Sequence, residues 1–173
     1  MAKRTSLREF QEYLTRRLTG VAAAKTLSSF LAVQAGDESS RWLLPLSDAG
    51  EVVSIPALAC VPLTKKAFLG LANIRGNLYA VTDFPAFLGK EATPLNSPAA
   101  RLLLVGTRHG NNVALLVSRL LGLRRPEDLT EMPLPADAPV WAGAAYQDAQ
   151  GNDWRLLDVA KLLQDPYFMD IVL

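Results

Sequence analysis

The stretch Phe68-Leu-Gly-Leu-Ala-Asn-Ile-Arg-Gly-Asn-Leu-Tyr-Ala-Val-Thr-Asp-Phe84 decides how this chain folds. Two β-prone apolar runs, 69–74 and 78–81, meet at Arg75-Gly76-Asn77, the composition of a tight hairpin in which Gly76 supplies backbone freedom that a side chain would deny. Arg75 is thereby held out at the edge of a rigid element. The second run ends on Asp83, just before the apolar segment 84–88. Asp83 therefore takes the position of a helix N-cap, where its carboxylate satisfies orphan backbone donors.

On both sides of this hairpin the chain continues in short β-prone runs separated by turn residues, at 30–33, 42–46, 51–55, 102–105 and 113–117. Such spacing predicts a mainly β protein, a sandwich or barrel, with short helical pieces at 84–88 and 159–163. Residues 91–100, with Pro94 and Pro98, and 126–139 read as irregular connectors. A weak internal echo runs through the chain. Gly70 and Gly143 each lead to a Gly-Asn pair, 76–77 and 151–152, then to Asp83 or Asp158, then to an apolar segment, as two related β units would.

Before residue 28 the pattern is helical. Ser6-Leu7-Arg8-Glu9 has capping-box spacing, Leu7, Phe10, Leu14 and Leu18 recur on one face, and Gly20 ends the run. The expected organisation is an N-terminal helical extension, 1–25, and one domain of two packed subdomains, 26–173. The helical seam lies against the body of the protein or is offered to a partner.

The 173 residues carry 18 basic and 17 acidic side chains, a net charge of +1. That balance gives no electrostatic footprint for nucleic acid or for an anionic membrane surface. Cys60 is the single cysteine, so no intramolecular disulfide forms and a reducing compartment is implied. No signal peptide and no apolar span is legible, which places the protein in the cytoplasm.

Catalytic constellations are missing from the sequence. His109, the single histidine, falls at an expected hairpin tip and reads as solvated, while Cys60 reads as a small buried or half-buried apolar residue. Neither a P-loop, nor a Gly-rich dinucleotide turn, nor a nucleophile elbow occurs. The pairs Asp37-Glu38 and Glu127-Asp128, and Asp148, fall in turn-like contexts and read as solvated. The expectation is a binding module without catalytic residues, metal or cofactor.

The hairpin closely resembles the hallmark of CheW-like domains, a Gly-(hydrophobic)-x-Asn-(Leu/Ile)-Arg-Gly turn followed by a hydrophobic strand ending in Asp. The similarity extends in family order from Trp42-Leu-Leu-Pro-Leu and Glu51-Val-Val, through 102–117 and Ser118-Arg-Leu-Leu-Gly-Leu, to 141–163. Together with the N-terminal helix, it looks most like the PilI type, the CheW-like proteins of type IV pilus chemosensory systems. The resemblance implies two five-stranded, SH3-like barrels around a shared core. It also implies an adaptor linking the cytoplasmic tip of a methyl-accepting chemoreceptor to the regulatory domain of a CheA-like histidine kinase. By motif, Arg75 takes the position of a receptor-contacting arginine and Glu51 that of its acidic partner, and Asn73, Gly76 and Asn77 of the same turn are expected to belong to the partner-binding surface with them. Ser118-Arg119, where many relatives carry Asp and small residues, and the longer turn 147–152 depart from the pattern and bear on partner specificity.

Two other classes compete. A small-barrel nucleic-acid or ligand binder would need aromatics interleaved with basic residues, and none lies among Arg119, Arg124 and Arg125, which read as a solvated face. An enzyme would need a pocket with perturbed carboxylates.

Overall fold

A computed structural model describes residues 29–173; the helix expected over 7–18 and the 1–25 extension lie outside the described residues. The strands are β1 (Phe30–Gln34), β2 (Arg41–Pro45), β3 (Ala49–Val53), β4 (Leu58–Ala59), β5 (Phe68–Ile74), β6 (Asn77–Asp83), β7 (Arg101–Val105), β8 (Val113–Val117), β9 (Arg119–Arg124), β10 (Leu129–Met132), β11 (Ala142–Asp148) and β12 (Asp153–Leu157). Helices α1 (Phe84–Phe87), α2 (Val159–Leu162) and α3 (Pro166–Met169) are single turns. The protein is mainly β, as expected. The connector read over 126–139 holds a strand, however, because Leu129 packs beside Trp154 and β10 pairs with β11.

Two six-stranded sheets carry these elements, in the orders β10-β11-β12-β2-β1-β9 and β3-β7-β8-β6-β5-β4. Each sheet curls around a core of its own. In the second, Val53 and Ile55 from one edge meet Leu58, Ala72 and Ile74 from the other. In the first, Leu121 of β9 and Leu129 of β10 converge on Ala32, Leu43 and Trp154. A third and larger core lies between the sheets, built on Trp42, Leu44, Leu103, Leu115, Trp141 and Leu157.

That third core explains the unbroken apolar runs of β7 and β8. Leu102, Leu104, Ala114 and Leu116 point into the curl of their sheet, while Leu103, Val105, Val113, Leu115 and Val117 point into the layer between sheets. A strand buried on both faces cannot alternate polar and apolar residues, so it reads as a continuous hydrophobic segment.

Written from β9 inward, the first sheet runs β9-β1-β2-β12-β11-β10 and the second β3-β7-β8-β6-β5-β4. In both, the pairings are antiparallel, antiparallel, parallel, antiparallel and antiparallel. The chain is thus two copies of one six-strand unit, β1–β6 and β7–β12, each lending its first hairpin to the other's sheet. The sequence echo marks equivalent places. The ladder slips beside Gly70 in β5 and at Gly143 in β11. Asp83 and Asp158 cap α1 and α2, and their own N–H groups donate to the residue preceding each hairpin, Ala67 O at 2.7 Å and Trp141 O at 2.8 Å.

Asp83 does more than cap. It is 1% exposed, and its carboxylate accepts Thr93 N at 2.7 Å and Thr93 Oγ1 at 3.1 Å, tying the 91–100 connector to the end of β6. Burial pushes its carboxyl above the usual carboxylate range, against the pull of those donors. Asp83→Ala leaves the Thr93 N–H buried and unpartnered, which costs about 1–3 kcal/mol. A lower urea midpoint with an unchanged m-value is the expected result.

Several carboxylates expected to be solvated are structural acceptors. Asp148 accepts Gln150 N, Asn152 N, Asn152 Nδ2 and Trp154 Nε1 at 2.9–3.0 Å. Partial burial would raise its carboxyl, but the hydrogen bonds outweigh it and lower the pKa to about 2. His109 also has a partner: Nε2 lies 3.2 Å from Asp48 Oδ1, joining the β7–β8 tip to the β2–β3 turn. Cys60 is exposed rather than buried, because β4 ends at Ala59 and the chain leaves the sheet there.

Candidate partner-binding site

The β5–β6 hairpin turns in two residues, Arg75 and Gly76, with Ile74 paired to Asn77. Both turn residues have positive φ, 53° and 85°, as a type I′ turn requires. Asn77 therefore opens β6 instead of belonging to the turn, whose first residue is Arg75. Asn73 Oδ1 accepts the Gly76 N–H at 2.9 Å and fixes the turn from below. Asparagine is the usual residue at the place Arg75 occupies; a Cβ at this φ crowds the following carbonyl oxygen, which costs roughly 1–2 kcal/mol, and arginine lacks the short polar side chain that lets asparagine offset it locally.

Arg75 Nη2 donates to Glu51 Oε1 at 2.6 Å. The two strands involved lie far apart in the sheet order, β3 at one edge and β5 next to the other, so the pair forms only because the sheet curls. The Arg75 side chain is 77% exposed and that of Glu51 38%. The guanidinium is oriented yet keeps most of its five donors facing solvent, a form suited to bidentate contact with a carboxylate or carbonyl pair. Beside it Leu78 is 59% exposed, an apolar neighbour that strand alternation alone does not single out.

Gly70 explains the first glycine of the motif. Its φ is 122°, and a Cβ there would stand 2.2 Å from the Ala59 carbonyl oxygen. Backbone meets backbone at this point, so β4 can pair with β5 only over a glycine. Gly70→Ala is expected to lower the melting temperature by several degrees or prevent folding, by the combined strain and displacement of β4.

Among the described residues no group of three or more His, Cys, Asp and Glu is placed to hold a metal ion, and no helix is long and apolar enough to cross a membrane.

A profile of the CheW-like domain matches residues 29–166, nearly all of the described chain. The chain belongs to the CheW-like domain family. Among curated proteins it is similar to Protein PilI of Pseudomonas aeruginosa, 28% identical over 135 residues that span 75% of this chain and 73% of PilI. Its fold matches the crystal structure of the scaffolding protein TtCheW from Thermoanaerobacter tengcongensis with a TM-score of 0.66 and 17% identity, covering 83% of this chain and 99% of that one. The CheW-like domain thus accounts for both curled sheets and for the hairpin that carries Arg75.

Proposed function

We propose that this CheW-like protein is a non-catalytic, cytoplasmic adaptor that couples a methyl-accepting chemoreceptor-like protein to a CheA-like histidine kinase, in a chemosensory system governing type IV pilus twitching motility. The observation that carries the reading is the Arg75–Glu51 pair at 2.6 Å on an exposed, strained turn. A stable protein gains little from an exposed ion pair, about 0–1 kcal/mol, and loses at least as much by holding arginine at positive φ. The arrangement makes sense as a surface kept for a partner.

In this reading Arg75 contacts the receptor tip, Glu51 orients it, Asn73 and Gly76 hold the turn, and Asn77 sets the register of the strand behind it. The likeness to PilI supports the pilus assignment. Titration of the native protein and of Arg75→Ala with purified receptor tip and, separately, with the kinase regulatory domain tests it. Loss of the first interaction alone supports the assignment, and equal affinity of both proteins for the receptor tip rejects it.

A further inference from the structure

The two curled sheets share one topology, yet they are not filled alike. Inside the second curl nine residues are buried, Leu102, Leu104 and Leu116 among them. Inside the first, among the described residues, only Ala32, Leu43 and Trp154 are buried, while Phe30, Leu121, Leu129 and Tyr146 stand half-exposed around them. The Trp154 indole is roofed in part by the Arg124 guanidinium at 5.3 Å, so this arginine does meet an aromatic, delivered by another strand. Three buried residues against nine leave the first curl incompletely covered, with an apolar surface that a further element would complete.

The chain enters the fold at this place. β1 begins at Phe30, whose ring lies 6.0 Å from that of Tyr146, so residues 1–28 join the described fold beside the uncovered core. In that segment Leu7, Phe10, Leu14 and Leu18 share one face at helical spacing, and Arg8, Glu9, Glu12 and Arg16 fall on the other. A helix of about three turns is marginal in water unless its apolar face is packed. Residues 19–28 separate this seam from the fold. Extended, they reach about 35 Å, roughly twice the length of a five-residue strand, so the seam can fold back over the first curl. Closing that short loop costs less entropy than carrying the seam to a distant face.

We propose that the apolar seam of residues 7–18 docks on the half-exposed core of the first sheet, over Phe30, Leu121, Leu129 and Tyr146, as a cover the chain supplies to its own fold. A second apolar recess, about 350 Å³ between Phe68, Phe87 and Tyr167, includes no residue of β1, β9 or β10, so continuity with the entering chain favours the first curl. The seam is then spent within the protein and is not offered to a receptor or kinase. Arg75, on the other sheet, stays uncovered, and the docking holds whether or not the protein couples those partners.

The test uses the full chain with Cys60→Ser, and with Glu12→Cys carrying a nitroxide on the face away from the seam. In ¹⁵N-labelled protein the amide signals of Leu121, Leu129 and Tyr146 are expected to lose more intensity than those of Phe68, Phe87 and Tyr167. Adding Leu14→Asp should abolish that difference. Amide exchange in β9 and β10 should then quicken roughly tenfold, while exchange in β5 and β6 stays as it was. A mixture of nitroxide-bearing chain lacking ¹⁵N with ¹⁵N-labelled chain lacking nitroxide should show no loss. Loss centred on Phe68, Phe87 and Tyr167, equal loss throughout, or a pattern that survives Leu14→Asp would overturn the proposal. Loss in the mixed sample would overturn it too, in favour of a second copy of the chain as the occupant.

Discussion

Arg75→Asn is expected to leave the protein as stable as before or more so, and to weaken receptor-tip binding by well over an order of magnitude. The stability half follows from the turn. Asparagine tolerates positive φ at the first position of a type I′ hairpin, so the substitution relieves part of a backbone strain of roughly 1–2 kcal/mol and forfeits an exposed ion pair worth about 0–1 kcal/mol. The binding half follows from the guanidinium, which is 77% exposed in the free protein and would be desolvated at an interface. Truncating such an arginine costs roughly 2 kcal/mol or more, about a 30-fold rise in Kd. Arg75→Glu should weaken binding further, since it places a carboxylate against Glu51. Thermal melts and fluorescence titrations read both halves. A lower melting temperature for Arg75→Asn would mean that the arginine is structural, and unchanged receptor affinity in Arg75→Glu would remove it from the site.

When the chain is cut between Asn96 and Ser97 and the two pieces are separated, each piece alone is expected to be unfolded. The cut lies in an exposed part of the connector, and it separates β1–β6 from β7–β12. The first piece then lacks β7 and β8, which lie at the centre of its sheet, and the second lacks β1 and β2. Exposing β8, all five residues of which are buried, removes the inner wall of two cores at once. Neither fragment should unfold cooperatively alone, whereas an equimolar mixture refolded together should recover the circular-dichroism spectrum of the native chain. Cooperative unfolding of either isolated fragment would contradict the exchange of hairpins between units.

How much of this was legible in the sequence depended on the range of the interaction involved. The β5–β6 hairpin, the caps Asp83 and Asp158 and the runs at 102–105 and 113–117 are written locally, in turn residues and apolar patterning, and the structure places strands and helical turns at those positions. β10 was hidden because its four residues sit between Pro126 and Pro133, and only Leu129 buries a side chain against the core. The exposure of Cys60 was misread for the converse reason: its neighbours look like strand interior, yet β4 is two residues long. Non-local features left no local trace. The indole beneath Arg124 comes from β12, and the hairpin exchange appears only when the two sheet orders are laid side by side. The meeting of Glu51 and Arg75 was expected from resemblance to CheW-like domains; spacing alone could not indicate it, because the contact depends on the curl of a whole sheet.

The central claim is that one molecule of this protein bridges two partners. The most direct measurement immobilises the receptor's cytoplasmic tip and records how much kinase regulatory domain it retains with and without the chain. Retention that appears only when the native chain is added, and that disappears with Arg75→Glu although that variant still binds the kinase domain in solution, is the predicted result. Kinase-domain retention that is the same without the chain, or competition between the two partners for the chain, would contradict it.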